Sequence, residues 1–213
     1  ANGPMPFLTS LNPSMRRQWE ADEQYQPTLH RQLADVRGLR EEVKTLTLEE
    51  QRHWSGELKH ILENHENALL RATSVDTLAV FDVPDSDEGL RIAMKDSDST
   101  VRVAACHAWG QRTGREPMER LAEALGSDMD LDVRNAAARE LGSFSDPFAY
   151  RALGLALEPR EDPALQHRAI QSLKKSSGVD YGNDLSKWRQ FASGADPGPQ
   201  YTPNLAERFG NLF

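Results

Sequence analysis

The sequence predicts an all-α fold, an α-solenoid of about four stacked helix pairs, and three observations carry that expectation. Asn67, Asp98, Asp130 and Asp162 return at spacings of 31, 32 and 32 residues. Three residues after each stands an aliphatic side chain, Leu70, Val101, Val133 and Leu165. Eight residues further comes a large apolar one, Leu78, Trp109, Leu141 and Leu173. A second ladder keeps the same period through the intervening segments: Leu58, Leu90, Leu121 and Leu153, each with an apolar partner four residues on at Leu62, Met94, Leu125 and Leu157. Self-similarity at such a period marks a stacked array, because one unit cannot bury its apolar face alone and about three are needed for a stable core.

Taken in order, residues 1–46 lie outside the repeats and form an N-terminal extension with capping helices. Ala1 to Pro13 is rich in Pro, Gly, Asn and Ser and is expected to lack regular structure. A helix is predicted near Ser14, carrying Trp19. Pro27 opens another, with Leu29, Leu33, Val36 and Val43 on one side. Covering the open end of the stack is the plain role for these helices; a docking or dimerisation surface is the alternative. Residues 47–177 hold the four repeats. Thr47 and Glu50 make a capping box for the first helix of the array. Asn or Asp at the head of each second helix is a good N-cap, since its side chain accepts from N–H groups that lack an intrahelical partner. Pro163 fits a first helical position, where a missing N–H costs nothing. Small residues (Ala104 and Ala105, Ala136 and Ala137, Ala169) join the apolar stripe and let neighbouring helices approach closely. Residues 178–213 close the chain: a Gly/aromatic turn from Gly178 to Asp184, a helix whose Trp188 and Phe191 seal the last apolar face, and a Pro/Gly linker from Gly194 to Pro203. The final segment places Leu205, Phe209, Leu212 and Phe213 on roughly one helical face. Such a segment suits helix-in-groove docking on a partner, or folds back on its own array.

The stretch from Asp130 through Val133-Arg134-Asn135-Ala136-Ala137 to Leu141-Gly142 resembles the short HEAT repeats of the phycobilisome-lyase-like class, and Asp98, Val101-Arg102 and Ala104-Ala105 match the same pattern. The resemblance covers roughly residues 47–177. It weakens at the first repeat, where Asn67 and Ser74 replace Asp and Ala, and at the last, where Gln166 replaces Arg. It implies that Arg71, Arg102 and Arg134 are structural residues tying adjacent turns together. Tetratricopeptide and ankyrin arrays have similar periods, but their signature patterns are absent.

Composition narrows the function. Hydrophobic residues make up 38% and aromatics only 7%, with net charge −8. The terminal segments are nearly neutral, 6 basic against 6 acidic residues in 1–46 and 3 against 4 in 178–213, so the repeats carry almost all the negative charge. Binding phosphate backbones needs a basic stripe; none is visible, which argues against nucleic acid and against the DNA-glycosylase activity of some HEAT-like proteins. No apolar run approaches the ~18 residues of a membrane span. Cys106 is the single cysteine, so neither an intramolecular disulfide nor a cysteine-based zinc site is available, and it reads as a small semi-buried residue. The chain starts at Ala1. That suits an engineered start, or an exported mature protein lipid-anchored through a cysteine upstream of Ala1; the cell envelope is the expected location, ahead of the cytoplasm.

No catalytic constellation emerges, and no cofactor or metal is expected. His53, Glu57 and His60 share one helix face, and Glu57-x-x-His60 has the spacing of di-iron bundles, but those need two such helices and further glutamates. The opposite face, Trp54, Leu58, Ile61 and Leu62, is the one to bury. Non-core positions of the second helices form their own ladders: Val103, Asn135 and His167; His107, Arg139 and Gln171; with Cys106, Ala138 and Ile170 between them. Mixed polar and small apolar residues suit a protein ligand, and Asn135, Arg139, His167, Ile170 and Gln171, with Leu205, Phe209, Leu212 and Phe213, are the expected contacts. The expected function is a non-enzymatic scaffold or accessory subunit of a larger bacterial assembly. An accessory or lyase-type enzyme component, suggested by the repeat class, and a homo-oligomeric building block are the alternatives.

Overall fold

Each predicted N-cap closes its helix. In the computed structural model, which describes residues 27–201, the side chains of Asn67, Asp98, Asp130 and Asp162 accept from the first free N–H groups of the helices they head. Thr47 and Glu50 form the full capping box, with Thr47 N donating to Glu50 Oε2 at 2.8 Å and Glu50 N to Thr47 Oγ1 at 3.2 Å. Ten α-helices result among the described residues: α1 (Leu29–Glu42), α2 (Leu48–Asn64), α3 (Ala68–Leu78), α4 (Pro84–Ala93), α5 (Ser99–Gly110), α6 (Arg115–Ser127), α7 (Leu131–Leu141), α8 (Pro147–Leu155), α9 (Pro163–Ser177) and α10 (Leu185–Ser193). A 3₁₀ turn, Val43–Thr45, links α1 to α2. The second helix predicted from the N-terminal segment starts at Leu29 rather than Pro27, because Thr28 takes the cap and accepts from Arg31 N. The helix predicted near Ser14 with Trp19 lies outside the described residues.

The helices form two layers. The second helices α3, α5, α7 and α9 lie side by side in unbroken succession, and α1 continues that layer against α3. Leu33 and Val36 of α1 are buried there, and Thr77 Oγ1 donates to Val36 O at 3.0 Å. In the other layer α2 packs on α4, and α6 on α8 on α10. Between the layers the predicted ladders meet: Leu70, Val101, Val133 and Leu165 face Leu58, Leu90, Leu121 and Leu153, all at 1% exposure or less. Truncating one such leucine to Ala should cost about 2–5 kcal/mol. Of the predicted small residues Ala105, Ala136, Ala137 and Ala169 are buried and Ala104 is half-buried; the close main-chain approach lies at Gly142. A Cβ on Gly142 would stand 2.9 Å from the Ser172 backbone, so α7 and α9 touch almost main chain to main chain.

An arginine from each of the first three repeats stitches it to the next. Arg71 makes a two-pronged contact with Asp96 (2.7 and 2.8 Å) while its third nitrogen donates to the carbonyls of His65 and Glu66. Arg102 repeats the arrangement on Asp128 (2.7 and 2.9 Å), with Asp96 O and Ser97 O behind it. Arg134 reaches Glu161 at 2.6 Å and Leu125 O at 2.9 Å. The carboxylates also order the next loop, since Asp98 N and Asp130 N donate to Asp96 and Asp128. Gln166, standing where a fourth arginine would, donates to Glu158 O instead. At the far end Gly178 (φ 75°) ends α9, and Trp188, fully buried, stacks edge-on against Tyr181 and Phe191 and donates to Gly182 O at 2.9 Å.

Candidate functional site

The second-helix face is where the repeat pattern leaves side chains free of the core. Positions recurring at the array period put Ala72, Val103, Asn135 and His167 in one row and Asp76, His107, Arg139 and Gln171 in the next. Of the predicted contacts, Asn135 is half-buried, while Arg139, His167 and Gln171 are exposed. Arg139 has one weak ionic neighbour, Glu140 at 3.8 Å. Ile170 is only 5% exposed, and Cys106 and Ala138 are fully buried. That row therefore belongs to the packing between neighbouring second helices, and the side chains left at the surface are those of the rows flanking it. Leu205, Phe209, Leu212 and Phe213 lie outside the described residues.

A concavity on this face lies nearer the N-terminus than the predicted patch. A groove of about 760 Å³ runs between α1, α3 and α5. Leu69, Ala72, Val103 and Ala104 supply its apolar surface, and Leu69 is 52% exposed. Arg37, Arg40 and Glu41 form the α1 wall; Asp76 sits across from them, and His107 closes the α5 side. His107 Nδ1 is 2.8 Å from Glu140 Oε1, a contact for which Gly110 makes room: a Cβ there would fall 2.3 Å from the other carboxylate oxygen. Crowding by the groove walls raises the pKa of Asp76, although the positive charges of Arg40, His107 and Arg37 pull the other way. No hydrogen bond or ion pair holds Arg37, Arg40 or Asp76 among the described residues, whereas the inter-repeat arginines Arg71, Arg102 and Arg134 each hold a carboxylate.

Sequence reasoning missed Arg37, Arg40 and Asp76. Asp76 was within reach, since carrying the His107, Arg139, Gln171 row back 31 residues lands on it. The two arginines were not, because α1 is no repeat and only its docking on α3 makes it a wall of this groove.

His53, Glu57 and His60 all face solvent on α2. Among the described residues no cluster of His, Cys, Asp or Glu is placed to hold a metal ion, and no helix is long and apolar enough to cross a membrane. Cys106 is fully rather than partly buried. Burial, reinforced by the negative charges of Asp128 and Glu140, pushes its thiol up to about 12, so it stays protonated at neutral pH.

The comparison with curated proteins gives no match. Residues 57–142 match the family of HEAT repeats. Those residues run from within α2 to the end of α7, the stretch that contains the Arg71 and Arg102 staples. Family match and geometry together support a HEAT-repeat protein, an α-solenoid of stacked helix pairs.

Proposed function

We propose that this chain is a non-enzymatic protein–protein interaction module, a scaffold or accessory subunit of a larger bacterial assembly, and that it binds through its second-helix face. HEAT solenoids are typically non-catalytic and serve interaction in general. Stacked helix pairs create extended surfaces of the kind that binding partners use. The observation that carries the reading is the groove on that face, where unpaired charged groups flank exposed aliphatic surface. Free polar groups beside exposed apolar surface are what a protein ligand covers and satisfies. The Asp-x-x-Val-Arg-x-Ala-Ala heads of the central repeats favour the phycobilisome-lyase-like short-repeat class, with the arginine as its structural staple.

Photo-crosslinking tests it. A crosslinking amino acid is placed singly at Asn135 or His167 on the second-helix face, and at Glu88, Glu119 or Arg151 on exposed positions of the first helices. Capture of a protein from the native source by the first set only is the expected result, weakened by Arg139→Glu combined with Gln171→Ala. Capture by the first-helix set alone, or none from any position, refutes the assignment.

A further inference from the structure

We propose that the groove between α1, α3 and α5 takes an acidic amphipathic helix of a partner protein, with its carboxylates on Arg37 and Arg40 and its aliphatic face on Leu69, Ala72, Val103 and Ala104. The proposal rests on the second-helix face being the binding face and deepens that reading by naming the ligand.

Charge complementarity selects the occupant. The chain carries net −8, concentrated in the repeats, yet the α1 wall places two guanidinium groups three residues apart, on one side of the helix. Among the described residues Arg71, Arg91, Arg102, Arg112 and Arg134 each already hold a carboxylate of this chain. Arg37 and Arg40 hold none among the described residues, so their donors face the groove without a described acceptor. Guanidinium groups favour planar carboxylates, which they can grip with two parallel hydrogen bonds.

Shape selects the form. The groove-lining positions on α3 run from Leu69 to Thr77 and on α5 from Thr100 to His107. At 1.5 Å per residue each wall is about 10–12 Å long, roughly two turns of helix. A helical ligand presents aliphatic side chains at i, i+3, i+4 and i+7 over that length. A ligand that set carboxylates beside Arg37 and Arg40 would also approach Asp76 and Glu41, and that repulsion limits how many acids it can carry.

The test selects from a displayed library of helix-biased 16-residue peptides on the full chain, then measures selected peptides by fluorescence anisotropy. Enriched peptides should pair Glu or Asp with Leu at helical spacing. Arg37→Glu with Arg40→Glu should weaken them roughly tenfold or more, and Asp76→Asn, which removes the central carboxylate, should tighten them a few-fold. Both arginines are exposed, so the double variant should keep its helical circular dichroism, which is checked alongside. Enrichment of neutral or basic peptides, unchanged affinity in the double arginine variant, or no enrichment overturns the proposal. If binding is lost in Arg139→Glu with Gln171→Ala but kept in the arginine variant, the groove assignment falls and the second-helix face stands. If a peptide of residues 202–213 binds and Arg37→Glu with Arg40→Glu abolishes it, the occupant is the chain's own tail and the partner helix is refuted.

Discussion

Replacing Arg102 by Met keeps most of the aliphatic stem and deletes the staple between two central repeats. The side chains of Arg102 and Asp128 are 16% and 11% exposed, so the variant leaves a nearly buried carboxylate with only Asp130 N to satisfy it. Breaking one partner of a buried pair costs about 3–5 kcal/mol. The residual exposure and the retained N–H put this case near the low end, about 3 kcal/mol. For a protein of this size each kcal/mol moves Tm by about 2–4 °C, so a drop of roughly 6–12 °C is expected by thermal circular dichroism. Burial pushes the Asp128 carboxyl upward, but the hydrogen bonds from Arg102 and Asp130 N outweigh it and hold the folded pKa below the ordinary value. Stability from this pair is therefore present above the unfolded pKa and lost as pH falls through the folded one. The gap between wild type and Arg102→Met should narrow below about pH 4. Adding Asp128→Asn removes the stranded charge, so the double variant should be more stable than the two single costs added together. A loss under about 1 kcal/mol, or simple additivity, would refute the view that the arginine acts as an inter-repeat staple.

Asp76→Asn should raise Tm slightly at neutral pH, by a few tenths of a kcal/mol given its exposure. Because burial raises the folded pKa of Asp76, its ionised form costs stability above that value, and the gain should vanish below the unfolded pKa; a pH series of melts checks both. Asp130→Ala deletes the cap of α7 and should cost about 1 kcal/mol in urea denaturation. Trp188→Ala, by emptying the fully buried end of the stack, should cost about 3–5 kcal/mol and expose Tyr181 to quenchers.

What could be read from the residues was whatever repeats. Four N-caps, two leucine ladders and the alanines between second helices follow from a period that a single chain displays several times over, so each unit corroborates the others. The proposed binding face was half legible for the same reason. Arg139, His167 and Gln171 stand where periodicity put them, but Ile170 looked like a surface position and is packed away, because second helices in this array touch along a wider strip than one helical stripe suggests. The groove was illegible because it depends on α1. No periodicity registers a non-repeating helix with the array, and only the burial of Leu33 and Val36 against α3 brings Arg37 and Arg40 over Asp76.

The departures from the repeat pattern have physical causes at the ends of the array. Two residues before the N-cap, the second and third repeats carry Asp96 and Asp128, each neutralised by the arginine of the repeat before. The first repeat has no preceding arginine staple, and there the position is His65, whose Nδ1 accepts Asn67 N at 3.1 Å and performs the loop-ordering task without a fixed negative charge. At the opposite end the fourth repeat is followed, among the described residues, by the single helix α10. There Gln166 makes the carbonyl contact to Glu158 without a charge. Both substitutions thus keep the loop hydrogen bond and discard the ion that would have no counter-ion, the outcome expected when a partly buried charge is tolerated only where it is paired.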